Sequence, residues 1–281
     1  MKSTKLLREI TDEEIQRYHE DGAVVLRQIM PHDWIDFMRD AVDEVLASPK
    51  GFGMDMQADG APGRFFGDLY TYRWNDNFKE LVFDSPLPEM IQKLFNSRRV
   101  NFFGDQLLVK EPNTPNKTPW HHDISYWPLK GEQIASVWMP LDKAVRESGT
   151  IAYIKGSHHY KNDYQAVTFS EKDVWNNAED ALPVPDFDAE PEKYEVLCWD
   201  VEPGDLLLHH ANTFHSALGN MTKDMRRRAI ALRYTGDDVT YAPTEYSFTE
   251  QPMFKSNVPE DNLQPGDPMG GALYPQVYPR L

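Results

Sequence analysis

The run Pro119-Trp120-His121-His122-Asp123-Ile124-Ser125-Tyr126-Trp127-Pro128 holds the residues best suited to chemistry. In a β-strand, residues i and i+2 point to the same face. The imidazole of His121 and the carboxylate of Asp123 then converge on one point. One more histidine completes a two-histidine, one-carboxylate face, which suits non-haem Fe(II) and leaves coordination positions open. The segment Gly204-Asp205-Leu206-Leu207-Leu208-His209-His210-Ala211-Asn212-Thr213-Phe214-His215-Ser216 offers three candidates. A lone histidine in a β-protein is more often a hydrogen-bonded core residue than a ligand. His19, His32, His158 and His159 are read that way.

His215 stands apart because of the arginines downstream of it. Arg226, Arg227 and Arg228 lie 11 to 13 residues on and open the strand-like run Ala229-Ile230-Ala231-Leu232-Arg233-Tyr234. An arginine beside a metal-binding histidine can hold a carboxylate through two parallel charge-assisted hydrogen bonds. 2-Oxoglutarate needs that arrangement, because its keto-acid end chelates iron while its far carboxylate must be anchored several ångström away.

The elements around these residues must position them. Thr11 and Glu14 form a capping box ahead of a helix, with Ile10 and Ile15 as a staple and Gly22 as its end. Ala23–Leu26 reads as a strand. A helix follows Pro31, with Trp34, Phe37, Met38, Ala41, Val42 and Val45 at helical spacing. Another runs from Pro86 to Phe95. These helices pad a barrel. Residues 49–64 lack periodicity and form a loop. The aromatic run Arg64–Trp74 is read either as pocket lining or as packing against the barrel wall. From Arg99 the pattern is β: strands at 100–103, 106–110, 134–141, 150–154, 195–201, 205–210, 213–218 and 227–235. The acidic stretch 160–194 is an insertion. Helices followed by many short strands predict a mainly β fold with flanking helices, a double-stranded β-helix of jelly-roll or cupin type. The whole chain, 1–281, is expected to be one domain. It has helical padding over about 10–97, a barrel core over about 98–240 and a Pro-rich tail over 241–281.

A formal charge of -16 argues against nucleic acid and against anionic membrane surfaces as partners. The partner expected is a small-molecule substrate. The single cysteine, Cys198, permits no intrachain disulfide and fits a reducing, cytoplasmic compartment. It sits in a strand-like run and is read as a small buried hydrophobe rather than a nucleophile. The N-terminus lacks the apolar core of a secretory signal, and no apolar run is long enough to span a bilayer. Oligomeric state is not legible.

The sequence resembles the phytanoyl-CoA dioxygenase family of Fe(II)/2-oxoglutarate oxygenases. Thr11–Leu26 resembles the family's opening helix and strand. Trp120-His121-His122-Asp123 with Tyr126-Trp127-Pro128 resembles its W-H-x-D…Y-x-P motif. Glu147-Ser148-Gly149-Thr150 with Lys155-Gly156-Ser157-His158 resembles its glycine turn and G-S-H motif. Gly204-Asp205 through His215 and Asn220 resembles its distal-histidine segment, and Leu263–Pro279 its tail. The resemblance implies His121, Asp123 and His215 as iron ligands, with 2-oxoglutarate and O2 as cosubstrates. Position 122, often glutamine in the family, is histidine here, but only His121 shares a strand face with Asp123. The family spacing from His215 lands on Arg226, whereas the count back from Tyr234 lands on Arg227. The strand face favours Arg227, with Ala229, Ala231 and Arg233 beside it, and leaves Arg226 as the alternative. Trp138, Gln106 and Lys110 match family positions near the cosubstrate.

The implied reaction couples decarboxylation of 2-oxoglutarate, giving succinate and CO2, to hydroxylation or related oxidation of an aliphatic C–H. Related halogenases lack the carboxylate, so Asp123 implies hydroxylation instead. Two other readings stay open. One is a cupin-like metal isomerase or hydrolase, which has no use for the arginine clamp. The other is a non-catalytic binding barrel. For the substrate, Phe66, Tyr70, Tyr72, Trp74, Tyr126 and Trp127 are candidate apolar lining. Arg64, Arg73 and Arg233 are candidate partners for an anionic group.

Overall fold

The computed structural model describes residues 2–57, 60–167, 178–258 and 262–280. Parts of the loop at 49–64, the acidic stretch and the tail lie outside these residues. The chain runs α1 (Asp12–Asp21), β1 (Ala23–Leu26), α2 (His32–Ala47), β2 (Met54–Asp55), β3 (Phe65–Leu69), α3 (Asp76–Asp84) and α4 (Leu87–Phe95). Then come β4 (Val100–Lys110), β5 (Thr118–His121), β6 (Leu129–Lys130), β7 (Ile134–Pro140), β8 (Ile151–Ile154) and β9 (Val196–Cys198). The last elements are β10 (Leu206–His210), β11 (His215–Ala217), β12 (Arg227–Thr235), β13 (Thr240–Tyr241), α5 (Pro252–Asn257) and β14 (Gln276–Tyr278). No helix among the described residues is long and apolar enough to cross a membrane.

The predicted caps form as their chemistry dictates. The Thr11 hydroxyl accepts the Glu14 amide, the Glu14 carboxylate accepts the Thr11 amide, and Gly22 ends α1 at φ 78°. Helix α3 has no counterpart in the sequence reading. Its signal is Asn75, whose side-chain oxygen caps the amides of Asn77 and Phe78. The strands at 100–103 and 106–110 are one strand, β4, running through Gly104.

The strands form two main antiparallel sheets rather than a closed barrel. The larger has the order β1-β10-β7-β12-β4-β3-β2, with β14 also paired to β4. The smaller has the order β5-β11-β8-β9. β1, β3 and β14 therefore belong to the larger sheet, although they come from the helical N-terminal part and from the tail. The largest apolar cluster joins helix residues Trp34, Met38 and Ile91 to Leu107, Val137, Leu208 and Ile230 of the larger sheet. Phe66, Tyr70 and Tyr72 are buried in this cluster, with Trp74 packed on it. That part of the aromatic run is packing. The tail joins it too, with Tyr274 stacked on Phe103 at 5.3 Å. A second, smaller cluster, which includes Trp138, Ile151, Tyr153, Leu207, Ala229 and Ala231, lies between the two sheets.

Candidate active site

The gap between the sheets opens into a cleft. The larger sheet lines it with Gln106, Ser136, Trp138, His209, Arg227, Ala231 and Arg233, the smaller with Thr118, His121, Ile151 and His215. Strand register puts His215 of β11 directly opposite His121 of β5. Their rings stand 4.2 Å apart, centroid to centroid. β5 ends at His121, and Asp123 opens a 3-10 turn rather than continuing the strand. The expected convergence still arises, because His122 keeps extended backbone (φ −123°, ψ 145°) and carries the alternation one residue further. One ligand atom from each of His121, Asp123 and His215 lies within 4.8 Å of the other two, and all three residues are buried.

The surroundings fix how these side chains present themselves. His121 Nδ1 lies 2.8 Å from the Pro119 carbonyl and His215 Nδ1 lies 2.9 Å from the Thr213 carbonyl. A ring N–H donated to each carbonyl leaves both Nε2 lone pairs facing the cleft, the arrangement metal-binding histidines use. Burial lowers the pKa of both imidazoles, that of His215 well below its ordinary value, so both are held neutral as ligands must be. Burial alone would raise the pKa of Asp123. Contact with His209 and the fixed positive charge of Arg233 oppose it, and the carboxylate stays ionised, well below the usual range. The Tyr126 hydroxyl donates to Asp123 Oδ1 at 2.9 Å, and Ser136 Oγ donates to Oδ2 at 3.4 Å. Two neutral imidazoles and one oriented carboxylate are a donor set that fits Fe(II).

The adjacent histidines separate cleanly. His122 points away from the cleft and stacks on Phe214, with ring centroids 4.7 Å apart. His210 lies 2.8 Å from the Glu132 carbonyl through Nε2 and is structural. His209 is the residue that sequence reasoning passed over. Its Nε2 stands 3.7 Å from Asp123 Oδ2, and neither ring nitrogen has a hydrogen-bond partner among the described residues. In β10, positions 207 and 209 share one face, and it is the pairing of β10 with β7, Leu207 opposite Trp138 and His209 opposite Ser136, that turns that face to the cleft.

The arginines separate as well. Arg226 is exposed and forms ion pairs with Glu111 at 2.8 Å and Asp43 at 3.1 Å. Arg228 pairs with Asp142 at 2.9 Å. Arg227 is buried against Trp138, lines the cleft and, among the described residues, donates only to the Leu108 carbonyl, at 3.2 Å. No carboxylate pairs with it among the described residues. Burial pushes its guanidinium down to about 10. Gln106 lies in the cleft wall, where its side-chain oxygen accepts from Arg233. Lys110 is fully buried, but its ammonium is spent on the Leu218 carbonyl at 2.8 Å and, more weakly, the Thr118 hydroxyl at 3.5 Å. Of the proposed anion partners, Arg64 is tied to Asp55 at 2.6 Å, Arg73 is exposed, and only Arg233 reaches the cleft.

Facing antiparallel sheets with two imidazoles and a carboxylate between them define a jelly roll built for a non-haem metal with open coordination positions. More particularly, the chain belongs to the phytanoyl-CoA dioxygenase (PhyH) family, whose model matches residues 18–229. It is 27% identical to a 1-deoxypentalenic acid 11-beta-hydroxylase of Streptomyces arenae over 159 residues, 57% of this chain and 52% of that one. It is 24% identical to a probable alpha-ketoglutarate-dependent hypophosphite dioxygenase of Stutzerimonas stutzeri over 168 residues, 53% of this chain and 54% of the other. The match thus spans about half the length of both curated relatives. Among solved structures, the non-haem alpha-ketoglutarate-dependent carbocyclase SnoK from nogalamycin biosynthesis shares the fold. Its TM-score is 0.73 at 22% identity, covering 95% of this chain and 96% of SnoK.

Proposed function

We propose that this protein is an Fe(II)- and 2-oxoglutarate-dependent dioxygenase that hydroxylates an aliphatic C–H of a small molecule and releases succinate and CO2. The observation that carries the reading is a pairing within one cleft. A neutral-histidine and carboxylate face, His121, Asp123 and His215, shares the cleft with a buried arginine, Arg227, that has no carboxylate partner among the described residues. A metal isomerase or hydrolase on this fold needs the first feature and has no use for the second. The printed names of two relatives, a hydroxylase and an alpha-ketoglutarate-dependent dioxygenase, support the same class.

When bound, iron supplies O2 activation and the oxidising power for the C–H. The chain's own residues bind and orient. His121 and His215 present Nε2, each ring held by a backbone carbonyl. Asp123 offers a carboxylate steadied by Tyr126 and Ser136. Arg227 holds the far carboxylate of 2-oxoglutarate with Trp138 alongside, and Gln106 sets the guanidinium of Arg233. The apolar wall of Trp138, Ile151 and Ala231 keeps water from the reacting centre.

The test is succinate release over a panel of small metabolites, with Fe(II), ascorbate and 2-oxoglutarate. Wild type should release succinate, lose the activity to a chelator and regain it with added Fe(II). The His215→Ala variant should release none above background. Equal release by wild type and His215→Ala would sink the mechanism.

A further inference from the structure

The cleft holds one more cation than this chemistry uses. Arg233 lies on the same face of β12 as Arg227, and its strand partner in β7 is Ser136, the residue that donates to Asp123. It therefore sits beside the metal-binding end of the cleft. Its residue is 9% exposed, its guanidinium lies 5.2 Å from the Trp127 ring, and its one hydrogen bond among the described residues goes to Gln106. Nε is buried without a partner among those residues. Its carboxylate neighbours are Asp105 and Asp123, and neither forms an ion pair with it. Asp105 sits on the other face of β4 and accepts the amides of Thr71 and Tyr72.

Formal charge leads to the same place. On the proposed reading, Asp123 offsets half of the metal's two positive charges. 2-Oxoglutarate brings two negative charges, one at the metal and one at Arg227. Among the described residues that line the cleft, the charge left over is that of Arg233. A buried, unpaired guanidinium is expensive unless something pairs with it, and its planar fork matches an oxyanion. Trp127 backs the guanidinium and Gln106 fixes its rotation, so the fork is preorganised.

We propose that Arg233 is the anchor for an anionic group on the substrate, and that the substrate class is a monocarboxylic acid. This rests on the 2-oxoglutarate reading above and deepens it by naming the substrate's chemistry. The acid binds through its carboxylate to Arg233, across Trp127, and presents a nearby C–H to the metal.

The test uses full-length protein loaded with Co(II), which blocks turnover, and with 2-oxoglutarate. Binding of hexanoate, phenylacetate and cinnamate, and of their methyl esters, is measured by calorimetry. In wild type at least one acid should bind about tenfold or more tighter than its ester. In Arg233→Gln the preference should fall within about twofold, while 2-oxoglutarate affinity stays within about threefold of wild type. Arg233→Lys should restore part of the preference. Wild type that binds no acid more tightly than its ester overturns the proposal, and this comparison needs no variant to fold. Arg233→Gln that loses 2-oxoglutarate instead assigns Arg233 to the cosubstrate and also overturns it. Wild type that binds metal but not 2-oxoglutarate removes the underlying reading, and the proposal falls with it.

Discussion

Replacing Arg227 by alanine should weaken 2-oxoglutarate binding by about 100-fold. That magnitude comes from where the guanidinium sits. Burial lowers its pKa from 12.5 to about 10, with the charge of Asp142 opposing the shift. At about 1.36 kcal/mol for each tenfold change in acidity, holding the charge there costs roughly 3 kcal/mol. A carboxylate bound in fork geometry recovers a cost of that size, and removing one partner of a buried charged pair typically costs about 2–5 kcal/mol. Roughly 3 kcal/mol corresponds to about 100-fold in Kd. Arg226→Ala is the control: its exposed ion pairs with Glu111 and Asp43 are worth at most about 1 kcal/mol to stability and nothing to the cleft. The assay is calorimetric Kd for 2-oxoglutarate on metal-loaded protein, with its KM from succinate release as a check. An Arg227→Ala protein that keeps wild-type affinity, or an Arg226→Ala protein that loses it, refutes the reasoning.

Three further outcomes are expected. His209→Ala removes an imidazole 3.7 Å from Asp123 Oδ2 and should lower metal affinity by about tenfold, read by competition with a chromogenic chelator. Asp68 is buried near Asp105, and burial first, then that neighbour, raises its pKa to about 7. A carboxyl group with a raised folded pKa favours the folded state at low pH, and the advantage is lost as pH rises through about 7. Asp68→Asn should therefore stabilise the protein by about 2 kcal/mol at pH 8, and the gain should shrink toward pH 5 in denaturant titrations. Gly22→Ala places a Cβ 2.4 Å from His158 Nδ1 at a left-handed φ of 78°, and should cost about 1–3 kcal/mol, seen as a lowered Tm.

The convergence of His121 and Asp123 was readable because its geometry is local. Two residues apart in extended backbone is enough, and His122 preserves that backbone even though the strand ends at His121. Arg227 was readable through parity: residues 227, 229, 231 and 233 share a face, and that face proves to be the cleft wall for Arg227, Ala231 and Arg233. His209 was not readable in the same way. A histidine in an apolar strand has the same sequence signature whether it faces a core or a cleft, and only the neighbouring sheet decides. The run Arg64–Trp74 offered the opposite difficulty. Its aromatics suit a pocket as well as a core, and the choice was made by β3 pairing with β4, with helices covering the far face. Helix α3 is short and depends on a single capping asparagine, too weak a pattern to stand out between longer helices.

Strand β12 also works as a ruler. Arg227 and Arg233 are six positions apart on one face, so a rise of about 3.3 Å per residue sets their backbones roughly 20 Å apart. Hydrogen bonding to β4 on one side and β7 on the other keeps that distance from stretching. On the proposed reading, with the far carboxylate of 2-oxoglutarate at Arg227 and the substrate's carboxylate at Arg233, beside the metal-binding end, the carbon to be oxidised would be selected by its distance from the substrate's acid group. Acids of different chain length would then be marked at the same number of bonds from the carboxylate, whatever lies at the other end.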